Sequence, residues 1–227
     1  MLNFCRKPIM TRSKYGALTI KLCYSIEGHT GKCEEYPYLS HLRKVAPKVR
    51  DKIIRDATNT TGAAWGSDEA GPNRILRWVM LHDDAKLEAQ GIRMGLLKPV
   101  VVAKLREKAA SYQDCMSVAQ KLTWLVYQMP DAPLPPADIR DYLESIFGPI
   151  EVNSTTCGIC KDTLSFKAFS QAKRGRAVIE TGHLNPRMHN SENICFAHRE
   201  CNIAQGSKTL DEFYKWIRGI LHRVGKL

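Results

Sequence analysis

The sequence predicts an α+β fold in which a mainly helical first part is followed by a smaller part with short strands. Apolar residues recur at helical spacing through much of residues 40–128, whereas short strand-like apolar runs appear further on. Between them, residues 129–136 contain four of the eleven prolines, which is typical of a stiff connector. We therefore expect a helical region over 1–129, a connector with a short helix over 130–150, and a small C-terminal domain over 151–227.

Three stretches before the connector have the spacing of amphipathic helices. They cover residues 40–57, interrupted by Pro47, and residues 72–91 and 99–128. Both later stretches begin with proline, which is tolerated in the first helical turn because its missing amide has no partner there. A further short helix is expected from Pro136 to Gly148, where glycine ends the helix.

The part after residue 150 combines short strands with two closing helices. Strands are expected over residues 164–168 and 177–179, with the basic turn 173–176 between them. The last helix opens with Thr209 and Glu212 at the spacing of a capping box. Its apolar stripe, which we expect to be core, comprises Leu210, Phe213, Ile217, Ile220, Leu221 and Val224.

The charge balance favours a polyanionic partner. Lys and Arg number 34 against 23 Asp and Glu, for a net charge of +11, so nucleic acid is the first candidate and an anionic membrane surface the second. The basic residues of the first helical region form a candidate DNA-backbone surface or a solvated helix face: Arg43, Lys44, Lys48, Arg50, Lys52 and Arg55.

No apolar run approaches the roughly 18 to 20 residues that span a bilayer. No secretory signal is recognisable, so we expect a cytoplasmic protein.

Cysteine spacing predicts a zinc site in the C-terminal part. In a reducing cytoplasm the eight cysteines are better explained as metal ligands and buried thiols than as disulfides. Cys157 and Cys160 form a CxxC knuckle with a glycine inside, and His198 and Cys201 offer a second pair at the same spacing. Together they predict a structural Cys₃His zinc site. The alternative is two unrelated pairs of buried side chains.

Three polar residues framed by these ligand pairs carry a family resemblance. His183, Asn193 and Asn202 follow one another in the order His, Asn, Asn, and Asn202 directly follows the last zinc ligand. With the cysteine pairs, this run resembles the HNH (ββα-metal, His-Me finger) nuclease motif over about residues 157–208. The resemblance implies a zinc-stabilised ββα-metal nuclease domain that cleaves double-stranded DNA, leaving 5′-phosphate and 3′-hydroxyl ends.

The residue types suit phosphodiester hydrolysis. A neutral histidine can take a proton from water near pH 7, so His183 is the expected general base. The amide oxygen of Asn202 would offer a ligand to a hard cation, Mg²⁺ or Mn²⁺, although Asn202 could also be a helix cap. By resemblance, Asn193 braces the loop behind the base.

One position departs from the family pattern. The residue before the general base is commonly an Asp that binds the catalytic metal, but here it is Gly182. Glu180, two residues back on the same strand face as Gly182, is a candidate for the missing ligand. Alternatively, His198 binds the catalytic metal and Cys195 completes the zinc site. A third interpretation of Gly182 is that the protein has lost catalytic activity.

Polar and basic residues around the motif are candidates for DNA contact, the alternative being a solvated loop. They are Asn185, Arg187, His189, Gln205 and Lys208.

Two further features are open. Cys5, Cys23, His29 and Cys33 are either a second zinc site or buried thiols with a surface histidine. In the glycine-containing loop 61–73, Trp65 either stacks on a base or fills the core.

Taken together, the sequence predicts a metal-dependent, site-specific endonuclease similar to type II restriction enzymes. The helical region would supply recognition and dimerisation, with a homodimer on a palindromic site and a cognate DNA methyltransferase in the same system. The alternatives are a homing or phage-type nicking enzyme, a modification-dependent HNH endonuclease, and a non-catalytic zinc-stabilised DNA-binding protein.

Overall fold

A computed structural model describes residues 3–12, 18–60, 75–89, 91–171 and 177–227. The predicted loop 61–73 with Trp65, the basic turn 173–176 and the expected helix start at Pro72 lie outside these residues. The described part is α+β, as expected. Its elements are β1 (Pro8–Arg12), β2 (Leu18–Leu22), α1 (Ser40–Val45), α2 (Pro47–Thr58), α3 (Asp84–Ala89), α4 (Pro99–Glu107), α5 (Tyr112–Tyr127), α6 (Ala137–Phe147), α7 (Phe166–Ser170), β3 (Ile179–His183), β4 (Ile194–His198), α8 (Arg199–Gln205) and α9 (Leu210–Arg223).

Local chemistry explains where the predicted helices begin and end. Pro47 ends α1 and opens α2, as expected, because proline at the first helical position needs no amide partner. The stretch 99–128 forms two helices rather than one. The side chain of Ser111 accepts a hydrogen bond from the backbone amide of Asp114 at 3.0 Å, and this N-cap starts α5 afresh.

Two other sequence predictions were wrong in type. Within 72–91, the described residues form the 3₁₀ helix Arg77–Leu81 and the short helix α3 instead of one long helix. Residues 164–168 were expected to be a strand, but α7 begins inside them because Ser165 caps the amide of Ala168 at 3.2 Å.

An N-terminal hairpin was not expected in the mainly helical region. Strands β1 and β2 pair antiparallel, with Pro8 opposite Leu22 and Arg12 opposite Leu18. Each strand has only five residues, and the alternation of apolar and polar residues over so short a stretch is not recognisable from sequence.

The main hydrophobic core crosses the expected domain boundary. It unites Ile53 of α2 and Leu122 of α5 with Phe196 of β4 and Phe213 of α9. The proline-rich connector therefore packs against this core and does not separate two cores. Its Pro130 carbonyl accepts a hydrogen bond from the Phe166 amide at 2.9 Å.

The last helix is only partly core. Phe213 is buried and Leu210 and Ile217 pack beside it, but Val224 is 59% exposed. The capping box of Thr209 and Glu212 is present as predicted. In the described residues, no helix is long and apolar enough to cross a membrane.

Candidate active site and metal centre

Two antiparallel strands and one helix bring the predicted site residues together. In the β3–β4 pair, Gly182 lies opposite Cys195 and His183 lies opposite Ile194. Helix α8 starts directly after β4, with His198 as its N-cap residue. Residues from the middle and the end of the motif thus lie on one small unit.

The four predicted zinc ligands converge. The Sγ atoms of Cys157, Cys160 and Cys201 and a ring nitrogen of His198 all lie within 4.8 Å of one another. Cys160 Sγ is 3.3 Å from His198 Nδ1. Three sulfurs and one imidazole nitrogen suit tetrahedral Zn²⁺, so the residues present fit this ion.

The backbone around the knuckle favours a thiolate. Burial opposes ionisation of Cys157, but hydrogen bonds from the backbone amides of Cys160, His198 and Ile159 outweigh it and lower its pKa to about 7. Burial and the neighbouring thiols raise the pKa of Cys201 to about 12. A cation among the four ligands would offset this mutual repulsion.

Glycine at position 158 is required by packing. A Cβ atom there would lie 2.5 Å from Cys195 Sγ, closer than real Cβ contacts. The knuckle is also braced from α9, where the Tyr214 hydroxyl donates to the Ile159 carbonyl. Burial raises the pKa of Cys195 to about 12, and this thiol lies outside the four-ligand group. The geometry thus groups His198 with the three knuckle and helix cysteines.

His183 is paired with a second histidine. Its Nε2 lies 2.9 Å from His189 Nδ1, and His189 Nε2 lies 2.8 Å from the Ala57 carbonyl oxygen. A carbonyl oxygen only accepts, so His189 Nε2 carries a proton and donates it. In a neutral His189, Nδ1 is then an acceptor and His183 Nε2 is its donor. The remaining nitrogen of His183, Nδ1, is the one with a free lone pair.

The surroundings keep both rings neutral. Burial, with smaller effects from Arg77 and Lys108, lowers the pKa of His183 to about 4. Burial, then Arg77 and His183, lowers the pKa of His189 to about 2. Both imidazoles are therefore uncharged at neutral pH, as the hydrogen-bond chain requires.

The Asn193 side chain is hydrogen-bonded to the backbone of the loop between β3 and β4. Its side-chain nitrogen donates to the carbonyls of Asn185 at 2.8 Å and Met188 at 2.6 Å, and its Oδ1 accepts from the Asn185 amide at 2.7 Å. The side chain is buried, and all three hydrogen bonds are made to the loop that precedes it. These hydrogen bonds hold the loop in the conformation that places His189 beside His183.

Asn202 and Glu180 are neighbours across α8 and β3. Asn202 Nδ2 donates to Glu180 Oε2 at 3.0 Å, and Arg199 donates to Glu180 Oε1 at 2.8 Å. The Asn202 amide oxygen faces Gly182, because a Cβ atom built there would lie 3.6 Å from it. A carboxylate and an amide oxygen are ligand types that a hard divalent cation prefers, but in this arrangement the Asn202 amide nitrogen, not its oxygen, faces Glu180.

The five candidate DNA contacts divide into two groups. Arg187 is exposed, and Asn185 and Lys208 are half-buried. His189 and Gln205 are buried, at 7% and 1% exposure, so the prediction of direct DNA contact was wrong for these two. Their hydrogen-bonding groups serve the fold.

Gln205 shows what a buried amide does here. Its side-chain nitrogen donates to the carbonyls of His183 at 3.0 Å, Leu184 at 3.2 Å and Lys208 at 3.0 Å. These contacts fasten the end of β3 to the end of α8. A buried amide with good partners stabilises one arrangement of the backbone, which is why a polar residue occupies this position.

Helix α2 supports the site from the other side. Thr181 donates to Asp56 Oδ2 at 2.8 Å, and Lys52 contacts the same carboxylate at 2.6 Å. Burial opposes ionisation of Asp56, but Lys52 and Arg55 outweigh it and lower its pKa. The sequence did not single out Asp56, His189 as a partner of His183, or buried Arg77. One sequence feature could have indicated Asp56: it is a charged residue on the mostly apolar face of its helix.

The comparisons with known proteins identify the family. The DraIII family model matches residues 35–201, well over half of the chain. The chain belongs to the DraIII family. A solved structure described as the crystal structure of a type II restriction endonuclease matches this DraIII-family chain with a TM-score of 0.86 and 42% identity, covering 100% of both chains. No curated protein matches significantly. These findings support the prediction of a restriction-type nuclease.

Proposed function

We propose that this DraIII-family chain is a metal-dependent, site-specific endonuclease that hydrolyses phosphodiester bonds in double-stranded DNA, in the manner of type II restriction endonucleases. The observation that carries the proposal is the neutral His183–His189 pair beside a β3–β4–α8 unit that also carries Glu180 and Asn202 in contact with each other. The full-length likeness to a type II restriction endonuclease supports it. The HNH assignment rests on the geometry of these residues and on the sequence motif.

His183 acts as the general base in this proposal. Its Nε2 proton is donated to His189, so its Nδ1 lone pair takes the proton of the attacking water. His189 is a positioning residue, since it selects the His183 tautomer and is itself fixed by the Ala57 carbonyl. Asn193 fixes the loop that presents His189.

Asn202 and Glu180 would bind the catalytic Mg²⁺ or Mn²⁺. When bound, the cation would polarise the scissile phosphate and stabilise the leaving 3′ oxygen. With Gly182 in place of the family's Asp, Glu180 is the carboxylate nearest to Asn202 among the hydrogen-bonded residues of this unit. Arg199 shares that carboxylate and lies where it would also meet phosphate charge.

Cys157, Cys160, His198 and Cys201 would bind a structural Zn²⁺. Cys201 is adjacent to Asn202 on α8, so a zinc ion there would fix the start of the helix that carries the metal ligand. Four protein ligands would leave no position for water or substrate on this ion, so its role would be to stabilise the fold.

DNA contact is assigned to basic groups that remain accessible. Arg187, Asn185 and Lys208 lie in or beside the loop and the α8–α9 turn, and Lys44 and Lys48 are exposed on the α1–α2 face. We further propose a cytoplasmic homodimer on a palindromic site, protected by a cognate methyltransferase, with residues 1–129 supplying recognition and dimerisation. The HNH nuclease part is assigned to residues 151–227, after the connector at 130–150.

A purified sample of the full chain tests the proposal. Unmethylated phage DNA is incubated with protein and Mg²⁺ or Mn²⁺, and the fragment ends are sequenced. Discrete fragments with 5′-phosphate and 3′-hydroxyl ends, abolished by chelation with EDTA, are expected. Nicks in one strand would indicate the nicking alternative, and cutting only of methylated DNA would indicate the modification-dependent one.

A non-catalytic DNA-binding protein is the second candidate, favoured only by Gly182. In that case no DNA is cut with any divalent cation, and DNA binding is insensitive to His183→Ala. Such a result on methylated and unmethylated DNA alike would overturn the nuclease proposal.

A further inference from the structure

A second group of three cysteines and one histidine lies at the other end of the sequence. The Sγ atoms of Cys5, Cys23 and Cys33 and a ring nitrogen of His29 all lie within 4.8 Å of one another. His29 Nε2 is 3.5 Å from Cys23 Sγ and 3.9 Å from Cys33 Sγ. The proposed nuclease site uses none of these side chains.

Backbone hydrogen bonds, rather than regular ligand spacing, bring the four side chains together. The Cys5 amide donates to the Ser25 carbonyl at 2.9 Å, and the Arg6 amide donates to the Cys23 carbonyl at 3.0 Å. These bonds continue the pairing of β1 and β2 toward the chain end. The first cysteine is thereby placed beside the second.

A turn and a third segment complete the group. Gly28 has φ +81°, a conformation that favours glycine, and the His29 amide donates to the Ile26 carbonyl at 3.2 Å. This turn directs the chain back toward the cysteines. The Tyr24 amide then donates to the Glu34 carbonyl at 2.9 Å, which brings Cys33 alongside Cys23.

We propose that Cys5, Cys23, His29 and Cys33 bind a second Zn²⁺ ion, at a structural site separate from the C-terminal one. The donor set is the same as in the C-terminal group, three sulfurs and one imidazole nitrogen. Soft thiolates with imidazole select zinc over the hard cations that the catalytic residues would bind. Four protein ligands leave no open position, so the ion binds no substrate.

The site would fasten the start of the described chain to the helical core. Phe4, next to Cys5, packs against Tyr24 and Tyr142 with ring centroids 5.9 and 5.6 Å apart. A zinc ion would add a cross-link between residues 3–7 and the 23–33 segment. The same zinc–ligand bonds would also hold together the ends of β1 and β2 that lie next to Cys5 and Cys23.

Zinc content per chain tests the proposal directly. Metal analysis of the full-length protein purified without chelator should give two zinc ions per chain. Cys33→Ser should reduce the content to one, Cys160→Ser in the C-terminal group should also give one, and the double variant none. The matched control is Cys115→Ser, because Cys115 is a buried cysteine outside both groups and its loss should leave two.

Native mass spectrometry and alkylation of wild-type protein keep the test valid if a variant fails to fold. The native mass should contain two zinc ions, and after denaturation with chelator but without reductant all eight cysteines should be alkylated. One zinc ion per chain, unchanged in Cys33→Ser, would overturn the proposal, as would two fewer alkylated cysteines from a disulfide in this group. Because zinc is counted without DNA, either outcome is independent of whether the protein cuts DNA.

Discussion

At the scale of single residues, the central feature is a histidine pair that is neutral in the folded protein. The pKa of His183 is lowered to about 4 and that of His189 to about 2, both chiefly by burial. In an unfolded chain both would titrate near 6.5. The unfolded state therefore binds more protons below that pH, so the pair stabilises the fold above pH 6.5 and loses this contribution as the pH falls toward 4.

Acid should destabilise the wild-type protein measurably through this pair. For His183 alone the change corresponds to roughly 3 kcal/mol between pH 6.5 and 4, at ~1.4 kcal/mol per pH unit. Urea unfolding at a series of pH values measures it. His183→Gln should make the profile less steep in this window, leaving the contribution of His189, whereas His222→Gln, at an exposed histidine on α9, should leave the slope unchanged. Equal profiles for all three proteins would contradict the assignment.

The role of His189 as a positioning residue predicts a selective defect. His189→Ala removes the acceptor for His183 Nε2, so we expect about a tenfold to hundredfold loss in cleavage rate, the range found when hydrogen-bond partners of metal-bound histidines are removed. DNA affinity should change little. His189→Asn, which keeps an acceptor near the position of Nδ1, should restore part of the rate. A loss of affinity without loss of rate would instead support direct DNA contact by His189.

At the scale of secondary-structure elements, the sequence predicted those helix boundaries that are set by one or two recognisable residues. Pro47 sets the boundary between α1 and α2, and the Thr209–Glu212 capping box sets the start of α9. It failed where a serine cap acted inside an apolar run, as Ser111 and Ser165 do. The motif predicts His183, Asn193 and Asn202 as site residues, but it could not show that His189 and Gln205 are buried. A polar residue type alone does not tell whether its side chain points into the protein or toward solvent.

The knuckle between Cys157 and Cys160 predicts a strict requirement for glycine. Gly158→Ala places a Cβ atom 2.5 Å from Cys195 Sγ, so the backbone or Cys195 must move. We expect a loss of about 1–3 kcal/mol in the free energy of unfolding, measured by urea denaturation. The matched control is Gly95→Ala, which has nothing within 4 Å and should change stability by about 0.5 kcal/mol or less. Similar effects of both substitutions would refute this explanation.

At the scale of the whole molecule, one core joins the helical region to the β3–β4–α8 unit. The Ala57 carbonyl on α2 accepts from His189, and Asp56 accepts from Thr181, so the proposed site is completed across the predicted boundary. Sequence could not reveal this, because the contacts join residues more than 120 positions apart. We infer that residues 151–227 need the helical region to form an ordered site.

The basic face of α1 and α2 predicts salt-dependent DNA binding. Lys44 and Lys48 are exposed there. If each neutralises one phosphate, the double substitution Lys44→Ala/Lys48→Ala should reduce the slope of log affinity against log salt by about 0.9 per lysine. Fluorescence anisotropy over a salt series measures it, with Lys226→Ala near the C-terminus as control. An unchanged slope in the double variant would exclude this face from the DNA interface.

The measurement that tests the central claim most directly is the single-turnover cleavage rate of wild type, His183→Ala and His222→Ala on the same unmethylated duplex with Mg²⁺, beside the DNA affinity of each. We predict that His183→Ala binds DNA like wild type but cleaves it at least about a hundredfold more slowly, as expected for loss of a general base. His222→Ala should match wild type in both. Cleavage by His183→Ala at the wild-type rate would show that this histidine is not the base.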